Sequence, residues 1–301
     1  MKNFVFAAVL LGLFASCQES PKSNHQKITS EEYKARVKAE KKRQAELDLP
    51  YRMLSPEEKV GSLAFVTGSD KASNSSVWGS LEKNRPDLAL LLADSGVSAL
   101  DPSYRSVREK LPFMAIWNGT DAPTPEFLRK WPYIKSQTSG RKGIYHSLNF
   151  GVKKEILKVI MLDSRFDGEN GEQISRDQWS WLAGELKKPA ALFVLVSAST
   201  LNQGSREKFT EIAGRAKIKN LILLAPGTES KISKWPAAGY SVFEVNPRPQ
   251  KSAEIVSGDA PLQVTKPADF GLLKFDWQKH MAQLEIKSAN DDKVESMEVT
   301  F

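Results

Sequence analysis

Residues 143–165 read GIYHSLNFGVKKEILKVIMLDSR. Gly143 to Phe150 alternates apolar with polar or small side chains, the two-residue period of a strand with one face toward a core. Leu157 to Leu162 is apolar almost throughout, as in a strand buried on both faces. The two segments are expected to pair. Downstream, Asp177 to Leu186 has helical spacing with two tryptophans, Trp179 on the core side and Trp181 toward the surface. Ala191 to Ser197 and Leu221 to Ala225 are further buried strands, separated by a helix around Phe209 to Ala216. Tyr240 to Asn246, Phe270 to Asp276 and Gln283 to Lys287 complete the strands of this half.

Upstream, the same rhythm appears again. Ser55-Pro56-Glu57-Glu58 is the signature of a helix start: an N-cap serine, proline at the first helical position and an acid at the third. Leu63 to Val66, Asp87 to Leu92 and Phe113 to Trp117 are continuous apolar strands, with helices expected at Val77 to Lys83 and Arg105 to Lys110. Strands that alternate with helices and are apolar throughout belong to an α/β sheet covered on both faces. The second half therefore supplies a second sheet. A length of 301 residues, less the N-terminal region, suits one two-sheet α/β domain over residues 55–301.

The N-terminus points to export. Met1-Lys2-Asn3 is a short basic start, and Phe4 to Phe14 is an apolar run too short to span a bilayer as an ordinary helix. Ala15-Ser16-Cys17 follows, with small residues before a cysteine, as in a bacterial lipobox. Residues 1–17 are expected to be a lipoprotein signal ending at a lipidated Cys17. Cys17 is the only cysteine of the chain, so no internal disulfide can form. Gln18 after it favours outer-membrane sorting in a cell envelope with two membranes. Residues 18–54 form a polar spacer, made helical over Lys34 to Glu46 by good helix formers and started by the capping pair Thr29 and Glu32. Loss of residues 1–17 removes one lysine and lowers the net charge from +7 to +6. The charge is dispersed, with no nucleic-acid motif, so nucleic acid is not an expected partner.

Ligand-binding side chains in such sheets come from turns at the carboxyl ends of strands. Five turns qualify: Thr67-Gly68-Ser69-Asp70, Leu92-Ala93-Asp94-Ser95, Trp117-Asn118-Gly119-Thr120-Asp121, Leu162-Asp163-Ser164-Arg165 and Leu224-Ala225-Pro226-Gly227-Thr228-Glu229. With their flanks, residues 62–290 resemble the alkaline phosphatase D (PhoD-like) branch of the calcineurin-like metallophosphatases. The resemblance is strongest at Gly143 to Gly151, Met161 to Arg165, Gln178 to Leu182 and Phe270 to Trp277. It implies a two-sheet α-β-β-α sandwich of metallophosphatase type.

The turns depart from the family pattern. Where that pattern has Gly-Ser-Cys, this chain has Gly68-Ser69-Asp70. Ala93-Asp94-Ser95 replaces Gly-Asp-Asn, and only Asp94 matches. Trp117-Asn118-Gly119-Thr120-Asp121 replaces Trp-Asp-Asp-His-Asp and keeps Trp117 and Asp121. Ala225-Pro226-Gly227-Thr228-Glu229 keeps none of the side chains of Ser-Gly-Asp-Arg-His. The resemblance implies metals that acidify water and polarise a phosphate, and loss of their ligands removes both the nucleophile and the charge clamp.

Two main readings follow, beside a third in which the chain is a structural envelope lipoprotein with no small-molecule ligand. In the leading one no metal or catalytic residue is retained, and a membrane-tethered domain binds an envelope protein or a phosphate-bearing ligand. In the alternative, Asp70, Asp94, Asp121 and Glu229, with Asn118 beside them, hold calcium, magnesium or manganese in a rebuilt phosphoesterase site, with water or Lys231 as the acid. Asp163 and Arg165 are expected to serve structure through hydrogen bonds to nearby backbone or to each other, and His146 to pack rather than act as a base.

Overall fold

The computed structural model describes residues 30–47, 52–67, 75–92, 102–117, 122–139, 143–164, 173–218, 220–226, 230–237, 240–246, 252–257, 260–265, 269–288, 290 and 292–301. The chain divides into two compact units, Met1–Arg43 and Gln44–Phe301. Helix α1 (Ser30–Leu47) carries Glu31 and Glu32 in its first turn, where carboxylates complement the partial positive charge of the free N–H groups. Among the described residues, no helix is long and apolar enough to cross a membrane.

The second unit is mixed α/β with two six-stranded mixed sheets. In the first, β1 (Ser62–Val66), β2 (Leu88–Leu91) and β3 (Phe113–Ala115) run parallel, linked through α2 (Ser75–Asn84) and α3 (Pro102–Lys110). Two short helices follow, α4 (Pro125–Lys130) and α5 (Pro132–Gln137), each with proline in its first turn. The second sheet contains β4 (His146–Phe150), β5 (Leu157–Leu162), β6 (Leu192–Ser197) and β7 (Asn220–Leu224), with α6 (Arg176–Glu185) and α7 (Gln203–Arg215) between the later strands. β8 (Lys231–Ala237) and β9 (Tyr240–Asn246) finish that sheet, in the order β4-β5-β6-β7-β9-β8. A separate hairpin of β10 (Ser252–Ser257) and β11 (Ala260–Thr265) precedes β12 (Asp269–Asp276), β13 (Met281–Ser288) and β14 (Lys293–Thr300). These last three return to the first sheet, giving β14-β13-β12-β1-β2-β3.

Side-chain period explains the layers. On β5, Val159 and Met161 join the core shared by both sheets, whereas Ile160 and Leu162 join a second core with Trp179 and Leu182 of α6 and Phe209 and Ile212 of α7. The outer face of the first sheet packs its helices through Trp78 of α2, Tyr104 of α3 and Phe113 of β3, with ring centroids 5.0–6.4 Å apart. The order of layers is helices, sheet, sheet, helices, as expected from the sequence. Gly271 of β12 lies opposite Phe65 of β1, and a Cβ there would stand 1.8 Å from the Phe65 ring. At the far edge, Glu295 of β14 accepts the Ile232 N–H of β8 at 2.7 Å, satisfying a donor on the edge strand of the other sheet.

The pairing of β4 with β5 is antiparallel, from His146 opposite Met161 to Phe150 opposite Leu157. One expectation fails. Ser55-Pro56-Glu57-Glu58 makes the local bonds of a helix start, with Glu57 N–H donating to Ser55 Oγ at 3.2 Å and Glu58 N–H to Ser55 O at 3.0 Å. No helix follows, because the chain is committed to β1 within three residues. Val60 is buried with its carbonyl accepting from Trp277 Nε1 at 2.8 Å, and the Gly61 and Ser62 N–H groups both donate to Asp87 Oδ2 at 2.8 Å. A turn is all that the remaining length permits.

Candidate functional site

Tyr133 of α5 joins the two sheets near the carboxyl ends of β3 and β5. Its hydroxyl donates to Ala115 O and accepts from Ala115 N–H, each at 3.0 Å, so it caps the end of β3. Its ring meets the His146 imidazole edge-on, with centroids 5.5 Å apart. His146 lies opposite Met161, at the carboxyl end of β5. The ends of β3 and β5 therefore stand either side of one aromatic side chain.

Past β5, the polar groups are absorbed by the framework. Asp163 is 9% exposed. Its Oδ2 accepts the Ile144 N–H at 3.2 Å. Gln178 of α6 clamps its backbone, with Asp163 N–H donating to Gln178 Oε1 at 2.7 Å and Gln178 Nε2 donating to Asp163 O at 2.8 Å. Gly143 makes room for the contact, since a Cβ there would stand 3.2 Å from Asp163 Oδ2 and 2.8 Å from the Tyr145 ring. Tyr145 in turn packs on Trp181, with centroids 4.8 Å apart.

Hydroxyls and amides stitch the neighbouring strand ends together. Ser199 Oγ donates to Ser164 Oγ at 3.0 Å, linking the end of β6 to that of β5. Ser197 Oγ donates to Ser199 O at 2.6 Å. Thr200 Oγ1 donates to Pro226 O at 2.8 Å, linking the end of β6 to that of β7. Gln173 Nε2 donates to Thr200 O at 3.2 Å while Gln173 Oε1 accepts the Asn202 N–H at 2.7 Å, which fixes the entry to α7. At the end of β1, Thr67 is buried and its Oγ1 has no hydrogen-bond partner among the described residues.

The sequence-derived candidates Asp70, Asp94, Asn118, Asp121 and Glu229 lie outside the described residues, as do Arg165 and Cys17. Lys231 opens β8 opposite Asn246 and is exposed. Asp163 takes the structural role expected of it. His146 is buried, with Nδ1 2.8 Å from Ile144 O, and packs as expected. Among the described residues, no group of three or more His, Cys, Asp or Glu side chains is placed to hold a metal ion. Sequence reasoning missed Tyr133 and the bridging role of Gln178. Ser175 and Gln178 have capping-box spacing, and Gln178 N–H does donate to Ser175 Oγ at 3.3 Å, but the amide side chain reaches across to Asp163 instead of back to the cap.

No protein-family model matches the chain, and no curated protein matches it in sequence. Solved structures with a related layout include Vps29 of Chaetomium thermophilum, 8% identical with a TM-score of 0.39, covering 79% of this chain and 98% of that one. A double mutant of Vps29 from Entamoeba histolytica is 11% identical with a TM-score of 0.36, covering 80% of this chain and 99% of that one. YfcE, a phosphoesterase from E. coli, is 11% identical with a TM-score of 0.32, covering 78% and 98%. At these identities and scores, no activity and no residue role passes from them to this chain.

Proposed function

We propose that the chain is an exported lipoprotein of the bacterial cell envelope, anchored through Cys17, whose two-sheet domain is a PhoD-like metallophosphatase scaffold used for binding rather than hydrolysis. One observation carries the non-catalytic reading. At the end of β5, the carboxylate and backbone of Asp163 are engaged by Ile144 and Gln178, and Ser164 by Ser199. Polar groups committed to backbone and to one another stabilise strand ends, and they are not free to take up an ion or a phosphate. The departures at Gly68 to Asp70, Asn118 to Asp121 and Ala225 to Glu229 point the same way. The partner is an envelope protein or a phosphate-bearing ligand.

The alternative is a phosphomonoesterase or phosphodiesterase with a hard divalent ion held by Asp70, Asp94, Asp121 and Glu229. It draws on the position of these carboxylates in the sequence, one in each of four turns following strands. Elemental analysis of the purified protein, with turnover of aryl phosphates measured with and without added divalent metal, separates the two. The binding reading expects no stoichiometric metal and no turnover above that of Asp94→Ala. Metal-dependent turnover abolished by Asp94→Ala establishes the enzyme.

A further inference from the structure

Helix α1 carries an exposed basic stripe. Lys34, Lys38 and Lys41 are spaced by four and then three residues, which places them on one face of a helix over about 10 Å of its length. All three are exposed, and none has a carboxylate partner among the described residues. Over residues 34–43 the sequence holds six cations (Lys34, Arg36, Lys38, Lys41, Lys42, Arg43) against Glu40 alone, a net of +5. Glu31, Glu32, Ala35, Arg36 and Ala39 are exposed as well, so no apolar stripe on these faces seeks a core.

We propose that α1 docks by charge on the anionic phospholipid headgroups of the membrane that holds the lipid anchor. This rests on the lipoprotein reading above, which supplies the proximity. Residues 18–29 number twelve and reach at most about 40 Å when fully extended. The attraction of exposed lysines to a headgroup layer falls off within a Debye length, about 8 Å at physiological salt. An anchor close in sequence is thus what brings the stripe into range, and a soluble acidic partner would have no such constraint. With no apolar stripe on the described faces, the helix stays at headgroup level, and its contribution is electrostatic and salt-sensitive.

The test uses the full chain with Cys17→Ala, so that no acyl chain contributes. Its sedimentation with phosphatidylcholine vesicles is compared with that on vesicles containing about one-third phosphatidylglycerol. Neutral vesicles report any partition of the apolar residues 4–14, and the difference between the two reports charge. We expect phosphatidylglycerol to strengthen binding, and Lys34→Gln/Lys38→Gln/Lys41→Gln to weaken that gain by about fivefold per lysine, on the order of 100-fold in all. Raising the salt toward 1 M, where the Debye length falls to about 3 Å, should erase the gain as well. Far-UV circular dichroism checks that the triple variant keeps its helix. Equal binding of parent and triple variant to phosphatidylglycerol vesicles overturns the proposal, as does equal binding to both vesicles. Lipid mass on Cys17 of the unmodified protein is scored separately. Its absence sinks the anchor and the delivery of α1 to a membrane, whereas a lipidated protein without phosphatidylglycerol selectivity sinks the lysine stripe alone.

Discussion

Glu185→Gln should cost the fold about 3–5 kcal/mol at neutral pH, because it strands a buried ammonium. Lys158 projects from β5 with its side chain 1% exposed, and its Nζ lies 3.2 Å from Glu185 Oε2. The same ammonium reaches Glu185 O, near the C-terminus of α6, at 3.3 Å. The carboxylate also accepts from Ser147 Oγ at 2.8 Å and from Lys188. Burial lowers the pKa of Lys158 from its ordinary 10.5, and the charge of Glu185 recovers only part of that loss. Burial pushes Glu185 upward, but the hydrogen bonds from Lys188 and Ser147 and the charge of Lys158 outweigh it and hold the carboxyl below its ordinary 4.5.

With the anion gone, Lys158 escapes the penalty by losing its proton. At pH 7 that caps the cost at about 4.8 kcal/mol, since each of the 3.5 pH units below 10.5 is worth about 1.36 kcal/mol. The sign with pH follows from linkage. A lysine with a depressed folded pKa binds fewer protons in the native state than in the unfolded chain, so stability rises with pH between the folded pKa and 10.5. The penalty of Glu185→Gln should shrink toward the alkaline end of that window. On the acid side, the Glu185 contribution is present above 4.5 and fades as pH falls through the depressed folded pKa, so parent and variant should draw together. Urea unfolding followed by tryptophan fluorescence at about pH 4, 7 and 9.5 measures this. A neutral-pH loss under about 1 kcal/mol, or a loss that does not vary with pH, would refute the reasoning.

Three further outcomes are expected. Gln178→Ala leaves the Asp163 N–H and C=O without their partners and should cost about 2–6 kcal/mol by urea unfolding, at about 1–3 kcal/mol for each buried group left unmet. Gly271→Ala places a methyl 1.8 Å from the Phe65 ring and should cost about 1–3 kcal/mol or more, with part of the loss recovered by Phe65→Leu in the same chain, as read from thermal melts of both variants. Cys17→Ala should move the protein from the membrane fraction to a soluble or uncleaved form, and unchanged fractionation with no lipid mass at the N-terminus would exclude the anchor.

The central strands were legible because burial on both faces leaves a continuous apolar run. Leu157 to Leu162 appears in the structure with the bounds read from sequence. Strands at or near the edges were less visible. β14 interleaves Lys293, Glu295 and Glu298 with Val294, Met297 and Val299, of which only Val299 is buried. Glu295 is there to meet a donor on β8, a contact 63 residues away in sequence that no local pattern announces. The helices α4 and α5 are six residues each, too short for a hydrophobic period to show.

The site was legible as a place but not as a set of partners, and the reason is physical. Strand ends can be located from where apolar runs stop, so the sequence alone places Asp163 and Ser164 in a turn at the end of β5. What a polar side chain does at such an end depends on which distant group arrives opposite it. Asp163 is held by Ile144 from 19 residues upstream and by Gln178 from 15 downstream, and Ser164 by Ser199 from 35 downstream. Tyr133 is the extreme case. It lies in a stretch with no strand rhythm and no family motif, yet its one hydroxyl satisfies both backbone groups of Ala115 while its ring supports His146. Replacing Tyr133 by Phe would leave the ring in place and expose two buried backbone groups without a partner. The hydroxyl holds the end of β3 while the ring meets His146 of the second sheet, so coupling the two strand ends takes both parts of the side chain.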